Sequence, residues 1–280
     1  MKNIKVLLAV LLLGTIQFAD AQYYPGPPGP PPGPAPRERR ERHNDEAAEV
    51  TPPTGYFEIS VGAAEPIGSF SNTGSTSYGG YALPGVDLAI SLGIPINHSN
   101  FGIALMYKGT SNPFDINGYM NNVQYSDPSK NYYIPTDQYG NPYDQGMTYD
   151  NSFIMAGLFA TYPIQRLSID FRLMGGVAIC SLPELAYAAN ATSPTATNDF
   201  SWDISGSNTS GFAFGVGADL RYKFRRVSLM LGVDFLTADP NISTNETYVD
   251  QDGTTTYSRV GGGLPISLMS YSIGIGYTIR

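Results

Sequence analysis

The run Phe212-Ala213-Phe214-Gly215-Val216-Gly217-Ala218-Asp219-Leu220-Arg221-Tyr222-Lys223-Phe224, then Arg225-Arg226, then Val227-Ser228-Leu229-Met230-Leu231-Gly232-Val233-Asp234-Phe235, decides the fold. Apolar side chains occupy every second position on both sides of a two-residue break. Glycines and charges fill most of the positions between them, with Ala213, Ser228 and Met230 at the rest. Side chains alternate between faces of a β-strand with period two, so this is a hairpin with one greasy and one ionic face.

Working outward, the same alternation recurs until eight strands are accounted for. The first lies near 55–64, with Phe57, Ile59, Val61 and Ala63 on one face, and the second near 85–96, with Val86, Leu88, Ile90, Leu92, Ile94 and Ile96. The third, near 101–111, shows Phe101, Ile103, Leu105 and Tyr107. In the fourth, near 151–164, Phe153 and Phe159 oppose Ile154, Leu158 and Tyr162, so its facing stays open. The fifth, near 167–180, carries Leu167, Ile169, Phe171, Leu173, Val177 and Ile179. The sixth and seventh, near 211–224 and 227–237, are the quoted hairpin. The last, near 266–280, shows Met269, Tyr271, Ile273, Ile275, Tyr277 and Ile279.

Connection lengths then separate a membrane barrel from a soluble sandwich. The links after the second, fourth and sixth strands are Asn97-His98-Ser99-Asn100, Gln165-Arg166 and Arg225-Arg226. The others, near 65–84, 112–150, 182–210 and 238–264, are long. Short turns at one end and long loops at the other are how outer-membrane barrels are built. A ten-stranded version, drawing a further pair from 112–150, stays open.

Charge placement points the same way. Glu58, Asp87, Lys108, Asp170, Arg172, Asp219, Arg221, Lys223, Asp234 and Arg280 all lie opposite the apolar face. A Lys or Arg facing lipid at mid-depth costs about 2–4 kcal/mol, so a lipid-exposed wall excludes them. These five acids and five bases are expected to pair inside the bore, with room left by Gly62, Gly93, Gly215, Gly217, Gly232, Gly274 and Gly276. Tyr162, Tyr222, Phe224 and Tyr277 would form an aromatic girdle at the turn end, and Tyr107, Phe212 and Phe235 one at the loop end. The expected fold is all-β: an eight-stranded antiparallel up-and-down transmembrane β-barrel behind a disordered N-terminal tether.

The chain ahead of the barrel cannot build a core. Lys2 and Lys5 precede the apolar run Val6–Leu13, and Ala19-Asp20-Ala21 fits a signal-peptidase site, so residues 1–21 read as a leader cleaved after Ala21. Residues 22–54 read as a periplasmic linker. Pro27-Pro28-Gly29-Pro30-Pro31-Pro32-Gly33-Pro34-Ala35-Pro36 favours polyproline II, and Arg37-Glu38-Arg39-Arg40-Glu41-Arg42 reads as a solvated tether or a docking patch. Residues 55–280 form the barrel. Localisation in the outer membrane follows, with membrane lipid, lipopolysaccharide and the barrel-assembly machinery as partners.

Composition agrees. Only 14% of the 280 residues are charged, against 12% aromatic, 31 Gly and 20 Tyr. A formal net charge of −8 excludes a nucleic-acid partner, which needs a clustered basic surface. Cys180 stands alone, so the chain holds no internal disulfide.

The eight-strand layout, Glu65-Pro66-Ile67-Gly68-Ser69-Phe70 after the first strand, and the closing Tyr271-Ser272-Ile273-Gly274-Ile275-Gly276-Tyr277-Thr278-Ile279-Arg280 resemble the outer-membrane β-barrel domain family of the OmpA/OmpX type, as found in Bacteroidetes-like bacteria. The resemblance covers roughly 55–280. Such barrels often end on an aromatic read by the insertion machinery; here the chain ends on Arg280, with Tyr277 and Ile279 close by.

No catalytic constellation emerges. Barrel-borne lipid deacylases and omptin-like proteases use a His base at the outer rim. Here His43 lies in the tether and His98 in a tight turn at the opposite end, so no enzymatic activity is expected. No cofactor or metal site is expected either. Asp144 and Asp150 match no EF-hand spacing, and Gly261-Gly262-Gly263 reads as a flexible loop end. The functional hint is the 112–150 loop, where Tyr119, Tyr125, Tyr132, Tyr133, Tyr139, Tyr143 and Tyr149 are interleaved with Asp115, Asp127, Asp137, Asp144 and Asp150. Tyr supplies rigid amphipathic contact area, so this loop is the candidate surface for an extracellular ligand; a soluble cover over the barrel mouth is the plain reading. Trp202 lies in another outer loop. The expected role is structural or surface-binding. The alternatives are a narrow channel for small solutes and a soluble periplasmic ligand-binding barrel.

Overall fold

The computed structural model describes residues 55–73, 80–97, 99–136, 147–206 and 208–279. Residues 1–54, read above as leader and linker, together with His98, Tyr139, Tyr143, Asp144 and Arg280, lie outside the described residues.

Among the described residues, thirteen strands form two sheets. The first is a closed barrel of β1 (Gly55–Pro66), β2 (Gly85–Pro95), β3 (Phe101–Pro113), β5 (Thr148–Ile164), β6 (Leu167–Ser181), β9 (Thr209–Phe224), β10 (Val227–Ala238) and β13 (Ile266–Ile279). Its neighbour order follows the chain, and β1 closes antiparallel on β13 from Gly55↔Ile279 to Pro66↔Leu268. Closure leaves no unpaired edge, so every ladder hydrogen bond is made within the wall. The second sheet runs β12 (Thr255–Gly263), β11 (Asn241–Val249), β8 (Phe200–Gly206), β7 (Leu185–Ala189) and β4 (Tyr132–Tyr133).

All eight strands expected from alternation are therefore staves, and the described residues of the 112–150 segment add no further stave. They hold a helix, α1 (Ile116–Ser126), and the short β4 of the second sheet. Asp115 caps α1 by accepting the Gly118 N–H at 3.0 Å. Pro128 ends it by driving Asp127 out of helical geometry, to φ −135° and ψ 83°.

The hairpins at the short end are as tight as their lengths imply. Gln165 and Arg225, the first residues of the two-residue turns, have φ of 56° and 59°, and Asn97 in the third turn has 51°. Two-residue hairpins require left-handed backbone to match strand twist, which non-glycine residues adopt at a cost.

The facing of the fourth stave is settled by burial. Phe153 is fully buried and Phe159 nearly so, both in the bore, whereas Ile154, Leu158 and Tyr162 are exposed on the outer face. Tyr149, read as a loop residue, belongs to this strand and points inward. The staves also run past the boundaries read from sequence at the loop end. That brings Glu65 and Asp150 onto the outer face there, beyond the apolar band.

The bore is layered. Toward the turn end Tyr56 packs edge-on against Phe159 at 5.5 Å. The middle holds the charges. Toward the loop end Ala64, Phe70, Phe153, Leu182, Leu236, Leu264, Ile266 and Leu268 form a buried apolar plug. Phe70 enters it from a 3₁₀ turn over Gly68–Phe70, where the chain folds back into the mouth.

Candidate functional site

Two constellations concentrate polar chemistry: the ion pairs of the bore and the aromatic face of the loop-end sheet.

In the bore, Arg172 on β6 meets Asp219 on β9 at two points, 2.7 and 3.0 Å, and reaches Asp234 on β10 at 2.8 Å. Lys108 on β3 meets Asp234 at 2.7 Å and donates to Ser270 Oγ at 2.6 Å, and Ser270 donates in turn to Asp87 at 2.6 Å. Nearer the turn end, Arg221 joins Glu58 at 2.9 Å and Asp170 at 3.0 Å, its guanidinium lying 3.9 Å over the Tyr56 ring. Each of these ionic groups is buried.

Of the charges that alternation placed inside, eight meet in these pairs. Lys223 is half-buried and forms no ion pair among the described residues. The balance of five against five is therefore not what the described residues build: five acids share three bases. Tyr56 and Ser270 complete the network. Sequence reasoning passed over both, although each sits in the inward parity of its own strand.

Inward glycines make the pairs possible. On β9, Gly217 is opposite Arg172 of β6 on one side and Asp234 of β10 on the other. With no side chain there, Arg172 reaches across β9. Gly232 plays the same part between Asp219 and Ser272. Met106, Met155, Met174 and Met230 are also buried in the bore. An eight-stranded barrel has an interior just wide enough for side chains to fill.

The outer wall is the reverse. Side chains such as Ile59, Leu88, Leu105, Leu158, Leu173, Leu231 and Ile275 stand exposed along it. Tyr162, Tyr222, Phe224 and Tyr277 are exposed at its turn end, and Tyr107 and Phe212 toward its loop end, with Phe235 half-buried.

Above the mouth the long connections are more organised than loops. Tyr187 on β7, Trp202 on β8 and Tyr248 on β11 face each other directly across three strands. Tyr187 and Trp202 stack at 5.0 Å and 10°, and Trp202 lies 5.0 Å from Tyr248. Phe200 and Tyr132 extend this floor at 6.1 and 5.5 Å from Trp202. Helix α1 covers one end, where Tyr119 packs on Tyr187 at 5.9 Å. From Tyr119 the rings continue through Phe114 to Tyr149 and Phe70, linking the sheet to the apolar plug. Burial raises the phenols of Tyr119 and Tyr187 above their ordinary value, so both stay protonated and hydrogen-bonded.

The loop tyrosines thus divide. Tyr119 and Tyr132 are half-buried in this packing, and Tyr149 belongs to the barrel interior. Tyr125 is 79% exposed, and Tyr133 is exposed, its hydroxyl donating to Asp199 at 2.6 Å. Trp202, read as a loop residue, is the centre of a sheet. Gly261-Gly262-Gly263, read as a loop end, is the last part of β12, paired with Asn241–Ser243. The missed signal was modest: Leu185, Tyr187 and Ala189, and Phe200, Trp202 and Ile204, do alternate.

At the rim of this face Asp127 and Lys130 pair at 3.0 Å. Lys130 Nζ sits 4.6 Å above the Phe200 ring and 5.8 Å above Trp202. Ser129 and Tyr132 also donate to Asp127, Tyr132 at 3.1 Å. Donors from Ser129 first, then Lys130 and Tyr132, hold the Asp127 carboxyl well below its usual range, and Asp127 in turn raises Lys130. Among the described residues no three His, Cys, Asp or Glu side chains converge as a metal site. Asp150, whose spacing from Asp144 matches no EF-hand, accepts from Thr148 at 3.2 Å.

No protein-family model matches the chain, and no curated protein matches it by sequence. Among solved structures it is similar to Neisserial surface protein A, at 13% identity and a TM-score of 0.42, covering 80% of this chain and 97% of that one. A major outer membrane protein from Thermus thermophilus gives 11% and 0.43, over 81% of this chain and 100% of the other. The outer membrane protease OmpT from Escherichia coli gives 11% and 0.38, over 83% and 100%.

Proposed function

We propose that the chain is an integral outer-membrane β-barrel that presents its loop-end sheet at the cell surface for binding, without catalytic turnover. One observation carries this reading: the wall is apolar outside and ionic inside. A barrel in water would gain by the opposite arrangement, since an exposed apolar wall would drive aggregation. On β13 the apolar outer face runs from Met269 to Ile279. At about 3.3 Å per residue and a tilt near 40° that spans about 25 Å, the height of a membrane barrel's apolar band.

The rest of the reading follows from this orientation. Residues 1–21 act as the export signal, cleaved after Ala21, and 22–54 as a periplasmic tether. The short turns face the periplasm, the long connections face outside, and lipid and lipopolysaccharide surround the wall. The OmpA/OmpX-type likeness belongs to the same reading. A filled, ion-paired bore speaks for a structural and binding role over solute conduction.

Density-gradient fractionation of the native cell tests it. The chain is expected in the outer-membrane fraction and to resist an alkaline carbonate wash. Recovery in the soluble periplasm would overturn the reading.

A further inference from the structure

The aromatic face around Trp202 has the parts of a receptor for an organic cation. Its floor is five rings, from Phe200, Trp202, Tyr248, Tyr187 and Tyr132, brought together by the registers of β4, β7, β8 and β11. Ring faces carry negative potential and attract cations, Trp most strongly. Its wall is the carboxylate of Asp127, fixed by donors from Ser129 and Tyr132. Its opening is toward solvent: the side chains of Lys130 and Asp127 are 21% and 35% exposed, and Trp202 and Tyr248 are half-buried.

The box already has an occupant. Lys130 places its ammonium on the Phe200 and Trp202 faces and against Asp127, as a bound alkylammonium would. That occupant is replaceable. A partly exposed i,i+3 ion pair is weak, and a primary ammonium is strongly hydrated, so an aromatic surface holds it less readily than a methylated one. We infer that this box binds an organic ammonium head group, a quaternary one above all, which takes the place of Lys130. The inference deepens the surface-binding role by naming a ligand class. It does not depend on where the barrel resides, so the test below and the fractionation above can fail separately.

Trp202 is the only tryptophan, which makes the site its own reporter. The full chain, refolded in a maltoside detergent free of amine head groups, is titrated with tetramethylammonium chloride against sodium chloride at equal ionic strength. Choline and trimethyllysine, run alongside, distinguish a lipid head group from a protein side chain as the source. A saturable change in Trp202 emission is expected with tetramethylammonium and not with sodium. Lys130→Met should tighten binding about fivefold, because self-occupancy lowers the competent fraction. Asp127→Asn and Phe200→Leu should weaken it, with the far-UV β signature unchanged in every variant. A response indistinguishable from sodium in both wild type and Lys130→Met, or a Lys130→Met affinity no tighter than wild type, would overturn the inference.

Discussion

Gly217 shows how much of the barrel turns on one missing side chain. A Cβ there would overlap Asp234 Oδ1 and lie 3.3 Å from Arg172 Nη2. Gly217→Ala therefore has to push apart the partners that meet across β9. Overpacking of this kind costs about 1–3 kcal/mol, and urea unfolding of the refolded barrel should show that loss. Arg172→Leu should cost more, about 3–5 kcal/mol, since it strands the buried Asp219 carboxylate and leaves Asp234 with Lys108 alone. Asp127 gives a residue-level pH test. Its folded pKa is depressed, so its contribution is complete above the ordinary carboxylate value near 4 and is lost only as pH falls through the lowered one. Trp202 emission, which senses Lys130 seated above it, should stay flat from neutral pH down to about pH 4 and change only in stronger acid. A midpoint at or above that value would show that Asp127 does not hold Lys130.

Among elements, β10 states the plan most clearly, with Leu229, Leu231 and Val233 outside and Met230, Gly232 and Asp234 inside. Leu231→Arg would set a cation at mid-wall, and in lipid vesicles it should cost about 2–4 kcal/mol against about 0–1 near the ends of the band, as at Phe101→Arg. Equal costs at the two positions would argue against a bilayer around the wall. The staves were readable because each buries or exposes a whole face, so period-two alternation survives over a dozen residues. The fourth stave was ambiguous because Phe153 and Phe159 are apolar yet face the bore, where they pack in the plug and against Tyr56. The loop-end sheet escaped notice for other reasons. Its strands are short or rich in Ser, Thr, Asn and Gly, and β8 pairs with β11 across more than thirty intervening positions, from Gly206↔Thr244 to Ser201↔Val249. Both faces of β12 are exposed, leaving no alternation to read. Likewise, parity assigned the bore charges to the interior, but partner choice is three-dimensional: nothing local says that Arg221 takes Glu58 and Asp170 while Lys223 takes no ion-pair partner among the described residues.

At the largest scale, the described residues from Gly55 onward form a plugged cylinder with an ordered sheet at one mouth, and the barrel and the sheet are joined by the aromatic series from Phe70 and Tyr149 to Trp202. Among the described residues the bore is filled by ion pairs, methionines and an apolar plug, as expected of an eight-stranded barrel. Planar bilayers containing the purified chain should show no stable single-channel steps, and reproducible steps would favour conduction. The inside-out wall itself can be tested by attaching an environment-sensitive fluorophore to single cysteines introduced at Leu231, Ile275 and Tyr257, on a Cys180→Ser background in vesicles. Nitroxide-bearing lipids should quench the label at Leu231 and Ile275 and leave Tyr257, on exposed β12, to aqueous iodide. Iodide quenching at all three sites, with none by lipid nitroxides, would contradict a lipid-facing wall.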